Sequence, residues 1–270
     1  MTPTEVETLI RIVAEASAVV LEVYGKPFAV EYKAPLDPVT EADRAANELI
    51  CKRLADAFPG AAIVAEESAP EAYAEFRKAE RIFFVDPVDG TAEFVQRNGE
   101  FVVMIGVVEG DRAVAGVIQA PATGKAWVGH VGHGAFAILP GGAREPLAVS
   151  KTSKLSEARL VASRSHRTPA LERTLESLRV RRVDAQGSAG LKGARVAEGT
   201  ADAYVAPRYA GKRWDVCPTD ALVVAAGGRV TDAWGRDIEY RGAGLASDTG
   251  LVASNGLLHD SILERLAARR

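Results

Sequence analysis

Apolar side chains recur at three- and four-residue steps through Val6, Leu9, Val13, Ala16, Val20 and Val23, the spacing of one buried helical face. Thr2 supplies a cap, Pro3 suits the first helical position, and Glu5 stands three residues after the cap. Gly25 and Pro27 end this helix. The signal repeats at Thr40, with Asp43 three residues on. Ala46, Leu49, Ile50, Leu54 and Ala57 form the second apolar face, and Pro59-Gly60 stop it. Two amphipathic helices are thus predicted ahead of any strong strand.

The period then changes. Ala61 to Ala65 is a short apolar run followed by Glu66 and Glu67, and Arg81 to Val85 is another followed at once by Asp86. Phe101 to Val108 and Arg112 to Ala120 flank Glu109-Gly110-Asp111, a hairpin signal. Ala126 to Val131 and Gly134 to Leu139 read as further strands, so the first part is two helices and a largely antiparallel sheet. The second part alternates. Strands are predicted at Leu160-Val161-Ala162, Val180 to Val183, Ala203 to Ala206, Arg229 to Thr231 and Leu251 to Ala253. Helices are predicted at Pro169 to Leu178, Ser188 to Glu198, Val216 to Ala226 and Leu257 to Ala268. That is a layered α/β half. The seam falls near residues 142–158, giving domains of 1–145 and 146–270.

Composition narrows the class. The 270 residues are 47% apolar and 26% charged, which excludes a disordered chain, a fibre and a collagen-like repeat. No apolar run approaches the ~20 residues of a membrane span. The first residues lack the basic region and apolar core of a signal peptide, so the expected compartment is the cytoplasm. Cys51 and Cys217 are too few for a disulfide framework and read as buried or partly buried thiols. A formal net charge of -3 argues against a general nucleic-acid binder. Phe101, Val103, Ile105, Trp127 and Trp234 read as packing residues.

Four segments place acids in suggestive settings: Asp37 to Asp43, Glu66-Glu67, Asp86-Pro87-Val88-Asp89-Gly90-Thr91, and Trp214-Asp215. In the third, Pro87 fixes φ and Gly90 permits a sharp path, so Asp86 and Asp89 can converge on one point. Gly90 and Thr91 offer backbone N–H groups to a phosphate oxygen if a helix starts there. Such a pairing suits Mg2+, commonly held by a few carboxylates plus substrate phosphate. A lone Asp-x-x-Asp-Gly is more often a solvated turn, but here it follows the apolar run Ile82-Phe83-Phe84-Val85. Each of the other three segments alone is a loop or a helix cap.

Together the four resemble a known family. Asp86 to Thr91 is similar to the first signature of the inositol monophosphatase-like, lithium-sensitive phosphatases, and Trp214-Asp215 with Ala225-Ala226-Gly227-Gly228 is similar to the second. Pro38 to Asp43 and Glu66-Glu67-Ser68 fit in order and spacing. Phe94 to Phe101 and Ser163-Arg164-Ser165-His166 resemble the CysQ-type 3'(2'),5'-bisphosphate nucleotidase branch. Ala92 departs from it, standing where that branch usually carries Lys. The resemblance covers about residues 5–256 and implies an αβαβα five-layer sandwich of the inositol monophosphatase / fructose-1,6-bisphosphatase type. It implies two or three Mg2+ ions held by Glu66, Asp86, the Val88 carbonyl, Asp89 and Asp215. It further implies that Asp43 and Thr91 orient and deprotonate the attacking water, with Glu66 assisting. A homodimer is expected by analogy.

Substrate contacts are expected at Gly90, Thr91, Gly187, Ser188, Ser163, Ser165 and His166. Ser188 is equally readable as a helix cap, and the Ser163–His166 stretch as a polar loop. Arg208, Lys212 and Arg213 precede Asp215 and could attract a second phosphate, although most such clusters are simply solvated. The expected activity is hydrolysis of adenosine 3',5'-bisphosphate to AMP. The alternatives are the same chemistry on inositol or sugar phosphates, and a non-catalytic binding homologue, which the complete acid set disfavours.

Overall fold

In the computed structural model, which describes residues 1–34, 37–165 and 167–268, both early helices start on reciprocal caps. In α1 (Pro3–Tyr24) Thr2 Oγ1 accepts from Glu5 N while the Glu5 carboxylate takes Thr2 N. In α2 (Glu41–Ala57) Thr40 and Asp43 cap in the same reciprocal way. Between them lies an antiparallel pair, β1 (Val30–Ala34) and β2 (Asp37–Thr40). This corrects the expectation that no strand separates the helices. β1 alternates as Val30-Glu31-Tyr32-Lys33-Ala34, but it is only five residues long and lies exposed, with Tyr32 largely in solvent, so the short signal does not read as a strand.

A seven-stranded sheet follows, in spatial order β3 (Ala62–Ala65), β4 (Arg81–Asp89), β5 (Val102–Glu109), β6 (Arg112–Ala120), β7 (Lys125–His130), β8 (Gly134–Ile138) and β9 (Arg144–Leu147). Only β3 and β4 are parallel. The short helix α3 (Thr91–Val95) leaves the end of β4. The second sheet has the order β11 (Arg182–Gln186), β10 (Arg159–Ser163), β12 (Ala203–Ala206), β14 (Leu251–Ser254) and β13 (Arg229–Thr231). Its first three strands are parallel. The β11 strand lies two to three residues later than the sequence pattern predicts.

Alternation along β4 sorts side chains to two faces. Phe83 and Val85 pack with Val6, Leu9 and Val13 of α1 and Ile50 and Leu54 of α2. Ile82 and Phe84 join Cys217, Ala221 and Leu222 of α6 (Arg213–Ala225), Ala194 of α5 (Ala189–Ala197), and Val161 and Tyr204 of the second sheet. The outer face of that sheet, with Leu160, Ala162 and Val252, is covered by Leu171 and Leu175 of α4 (Pro169–Leu178) and Ile262 and Leu266 of α7 (His259–Ala267). The result is five layers, αβαβα.

The central helix α6 sits on a track of strand glycines. A Cβ on Gly106 would strike Cys217 and Pro218, one on Gly116 the Pro218 backbone, and one on Gly129 the backbone of Ala221 and Leu222. Their lack of side chains lets α6 approach the sheet. Phe101, Val103, Ile105 and Trp127 are core, as expected. Trp234 is not; it is 56% exposed, because its turn lies outside the layers. Cys51 and Cys217 are free thiols, half-buried and buried respectively. Among the described residues, no helix is long and apolar enough to cross a membrane.

Candidate active site

Parallel pairing of β3 and β4 puts Ala65 beside Val85, and Glu66 N donates to the Val85 carbonyl at 3.1 Å. Glu66 and Asp86 therefore leave the same end of the sheet. The β4–β5 ladder breaks between Asp86 and Asp89, where Pro87 has no N–H to give and Val88 N turns to Asp86 Oδ1 at 3.1 Å. Gly90 then adopts φ 98°, and a Cβ there would strike the Glu100 carbonyl. Thr91 opens α3 immediately after. Its Oγ1 lies 3.0 Å from Asp43 Oδ1 and 3.0 Å from the Val88 carbonyl.

Two of the acids come from first turns of helices, where the N-terminal dipole favours carboxylates. Asp43 occupies the third position of α2, its Oδ2 taking Thr40 N and Oγ1 at 2.8 and 2.7 Å, which leaves Oδ1 for Thr91. Asp215 occupies the third position of α6, with Oδ2 accepting from Lys212 N at 2.6 Å. Carboxylate oxygens of Asp86, Asp89 and Asp215 lie within 4.8 Å of one another. These three and Glu66 were all anticipated from the sequence.

Electrostatics mark the cluster. Burial drives the Asp86 carboxyl far above its ordinary range, and the like charges of Glu66, Asp89 and Asp215 add to it. Asp215 is driven up in the same way, by burial and then by Asp89 and Glu66. Glu66 is pushed up to about 7 by burial, with Glu67 adding and Lys33 opposing. Lys33 of β1 reaches Glu66 at 3.1 Å and Glu67 at 2.6 Å. Asp43 is raised too, chiefly by burial. Carboxylates held this close and this deep call for positive charge. The donors are all hard oxygens, so the set fits a divalent cation of the Mg2+ type.

Around the acids, Ser188 Oγ and Gly190 N both donate to Asp89 Oδ2, at 2.5 and 2.7 Å. Ser188 also caps α5, as its helix-cap reading expected. Ser163 ends β10 beside Gln186. Ser165 is hydrogen-bonded to the buried Glu93. Arg164 holds Glu100 through two bonds at 2.9 and 2.7 Å, and Gly187 N donates to Glu100 at 2.6 Å. Arg208 and Lys212 are exposed, whereas Arg213 is half-buried and turns to Ser247 Oγ at 3.0 Å. The expectation for His166 lies outside the described residues. Lys33, Glu93 and Lys192 were missed, and Glu100 entered only as part of the Phe94–Phe101 stretch, with no role of its own. Lys192 alone left a signal: a cation on the apolar face of α5, four residues after Ser188.

A family model described as the inositol monophosphatase family matches residues 3–270. A 3'(2'),5'-bisphosphate nucleotidase CysQ from Salmonella typhimurium is 34% identical over 248 residues, covering 87% of this chain and 93% of the relative. A fructose-1,6-bisphosphatase/inositol-1-monophosphatase from Thermotoga maritima is 32% identical over 244 residues, covering 89% and 87%. The crystal structure of CysQ from Bacteroides thetaiotaomicron superposes with a TM-score of 0.80 at 28% identity, covering 94% of this chain and 97% of that one. Layer order, converging acids and relatives agree: this chain belongs to the inositol monophosphatase family and is a phosphatase.

Proposed function

We propose that the protein is a Mg2+-dependent 3'(2'),5'-bisphosphate nucleotidase converting adenosine 3',5'-bisphosphate to AMP and phosphate. The observation that carries this reading is the 34% identity to a CysQ nucleotidase across 93% of its length. Arg208 and Lys212 support it. Both are exposed on the segment leading to Asp215, and neither forms an ion pair among the described residues, so both are available to a second phosphate.

Glu66, Asp86, Asp89, Asp215 and the Val88 carbonyl would hold two or three ions. Bound there, the cations neutralise charge on the phosphoryl oxygens and acidify the attacking water. The chain's own residues supply the rest. Thr91 has one hydroxyl proton and two acceptors, Asp43 Oδ1 and the Val88 carbonyl. Donating to Asp43 leaves a Thr91 lone pair to orient water. Asp43, raised by burial, is the base that keeps the proton, while Glu66 lies on the same side of the site. As the water oxygen bonds to phosphorus, the ester bond breaks and the ribose oxygen leaves with a proton from solvent. The N–H groups of Gly90 and Thr91 receive phosphoryl oxygens. Ser163, Ser165, Gly187 and Ser188 line the organic part.

Inositol or sugar phosphates are the second reading. It is favoured by buried Glu93, a ready acceptor for substrate hydroxyls, and by Ala92, which removes a cation. Phosphate release from adenosine 3',5'-bisphosphate, inositol 1-phosphate, fructose 1,6-bisphosphate and AMP, each with Mg2+, tests the choice. The nucleotide bisphosphate is expected to show the highest kcat/KM. A higher value for inositol 1-phosphate would overturn the reading.

A further inference from the structure

Ser188 is held in a conformation that side chains avoid. Its φ is 60° and its ψ 132°, a region used essentially by glycine, yet it is not glycine. Four bonds fix it. Its Oγ donates to Asp89 Oδ2 at 2.5 Å, the same Oγ accepts from Leu191 N at 3.1 Å, and its carbonyl accepts from Lys192 Nζ at 2.7 Å and, at a longer 3.4 Å, from Lys192 N.

Lys192 is only 4% exposed. Its ammonium lies 5.1 Å from the centroid of the Tyr204 ring and forms no ion pair within 4 Å among the described residues. Burying a cation is costly unless its bonds are used. Here the bond goes to a backbone oxygen of the one strained residue that touches the acid cluster. Gly190 N, two residues before Lys192 on the same helix end, gives Asp89 its second bond.

We propose that Lys192 is a positioning residue. By pinning the Ser188 carbonyl it holds the strained turn, and through that turn the two-donor clamp that aims Asp89 at Asp86 and Asp215. The inference rests on Asp89 being a metal ligand. It assigns Lys192 no contact with substrate or reacting atoms.

Two effects of opposite sign separate this role from simple charge balance. A cation near Asp89 repels Mg2+, so if Lys192 acted only by charge its removal would tighten Mg2+ binding. If it acts as a pin, removal loosens a ligand, and supporting groups of this kind typically carry about 10–100-fold in metal affinity or activity. The test is Lys192→Met, which keeps the unbranched shape against Tyr204. Mg2+ binding is followed by calorimetry and by the rise in Tm of EDTA-treated protein. The expected result is a tenfold or greater rise in the Mg2+ Kd, with kcat at saturating Mg2+ lowered and substrate KM little changed.

The same substitution is then made in a Ser188→Gly background, where glycine adopts φ 60° without strain and the Oγ donor to Asp89 is already gone, so the pin has little left to hold. There Lys192→Met is expected to add less than threefold to the Kd, and this comparison stands even if Lys192→Met alone does not fold. Unchanged or tighter Mg2+ binding in Lys192→Met overturns the proposal, as does a further tenfold loss in the Ser188→Gly background. Should wild-type protein bind no Mg2+, the metal-ligand reading fails instead, and this inference with it.

Discussion

Thr91 Oγ1 stands 3.0 Å from Asp43 Oδ1, joining the first residue of one helix to the first turn of another 48 positions earlier. The other Asp43 oxygen is fully engaged by Thr40, so Thr91 is the group that meets the free one. Thr91→Val keeps the shape and removes the hydroxyl. It is expected to lower kcat by about 10²–10⁴, the range for losing general-base assistance, while the Mg2+ Kd moves less than threefold. Thr91→Ser should restore most of the rate. Steady-state kinetics over a Mg2+ series reads both effects.

Asp86→Asn separates function from stability. The amide oxygen can still accept from Val88 N, so the turn survives. The change removes a charge from a site where burial and four like charges, of Glu66, Asp89, Asp215 and Asp43, already oppose ionisation. Turnover is expected to fall by several orders of magnitude. In EDTA at pH 8, the Tm is expected to rise above wild type. A lower Tm there, measured by calorimetry, would show that the carboxylate is not a source of strain in the metal-free protein.

Much of this was legible in the chain. Caps at Thr2 and Thr40 read directly because a capping box is local chemistry. The four acid segments read as one site because their order resembles a family, not because periodicity placed them together. The β1–β2 pair was missed because its strands are only five and four residues long and β1, although Val30, Tyr32 and Ala34 alternate with Glu31 and Lys33, buries almost none of that face. The grip of Lys192 on Ser188 depends on a positive φ that nothing in the serine itself announces. Gly106, Gly116 and Gly129 are a different case: glycines in mid-strand are a readable sign of close approach, but the sequence does not say that α6 is what approaches.

That track makes a prediction. Gly129→Ala places a methyl against the backbone of Leu222 and Ala221, which cannot rotate away. The expected cost is about 1–3 kcal/mol from overpacking. Because Asp215 sits on the first turn of the displaced helix, kcat should fall as well. Gly244→Ala, which meets nothing within 4 Å, is the control and should change neither. Urea unfolding and kinetics on the two variants make the comparison.

Substrate choice is addressed by Arg208 and Lys212. Arg213 is left out because it is half-buried, with its Nη1 donating to Ser247 Oγ. A charge-assisted contact contributes roughly 1.5–3 kcal/mol. Neutralising the pair should therefore raise KM for adenosine 3',5'-bisphosphate on the order of 10- to 100-fold and leave inositol 1-phosphate turnover nearly unchanged. Equal losses on both substrates would place the two cations in support of the acid cluster. No loss on either would make them a solvated patch.

The pH dependence of the metal-free protein follows from two groups shifted in opposite senses. Glu66 is raised to about 7, so the folded state keeps a proton that the unfolded chain releases near its ordinary 4.5. Its stabilisation is complete below about 4.5 and is lost progressively as pH rises from there through 7. His259 is depressed to about 4 by burial, with both ring nitrogens engaged, by Ser254 and Thr231. Its contribution is complete above 6.5 and is lost as pH falls toward 4, on the order of 1–2 kcal/mol by pH 5. Between about pH 4.5 and 6.5 the two slopes oppose and nearly cancel, so stability in EDTA should show a broad, nearly level maximum there and fall as pH rises from about 6.5 through 7. Glu66→Gln is expected to unmask the His259 slope, with stability rising with pH up to about 6.5, and His259→Gln the Glu66 slope, with stability falling from about pH 4.5 to 7. Saturating Mg2+ should move the maximum upward, because the cation binds the ionised carboxylates and so favours the folded state most where they are charged. Urea midpoints across pH 4.5–8.5, with EDTA and with Mg2+, measure all three curves; a wild-type maximum in EDTA above pH 7.5 would contradict the raised Glu66.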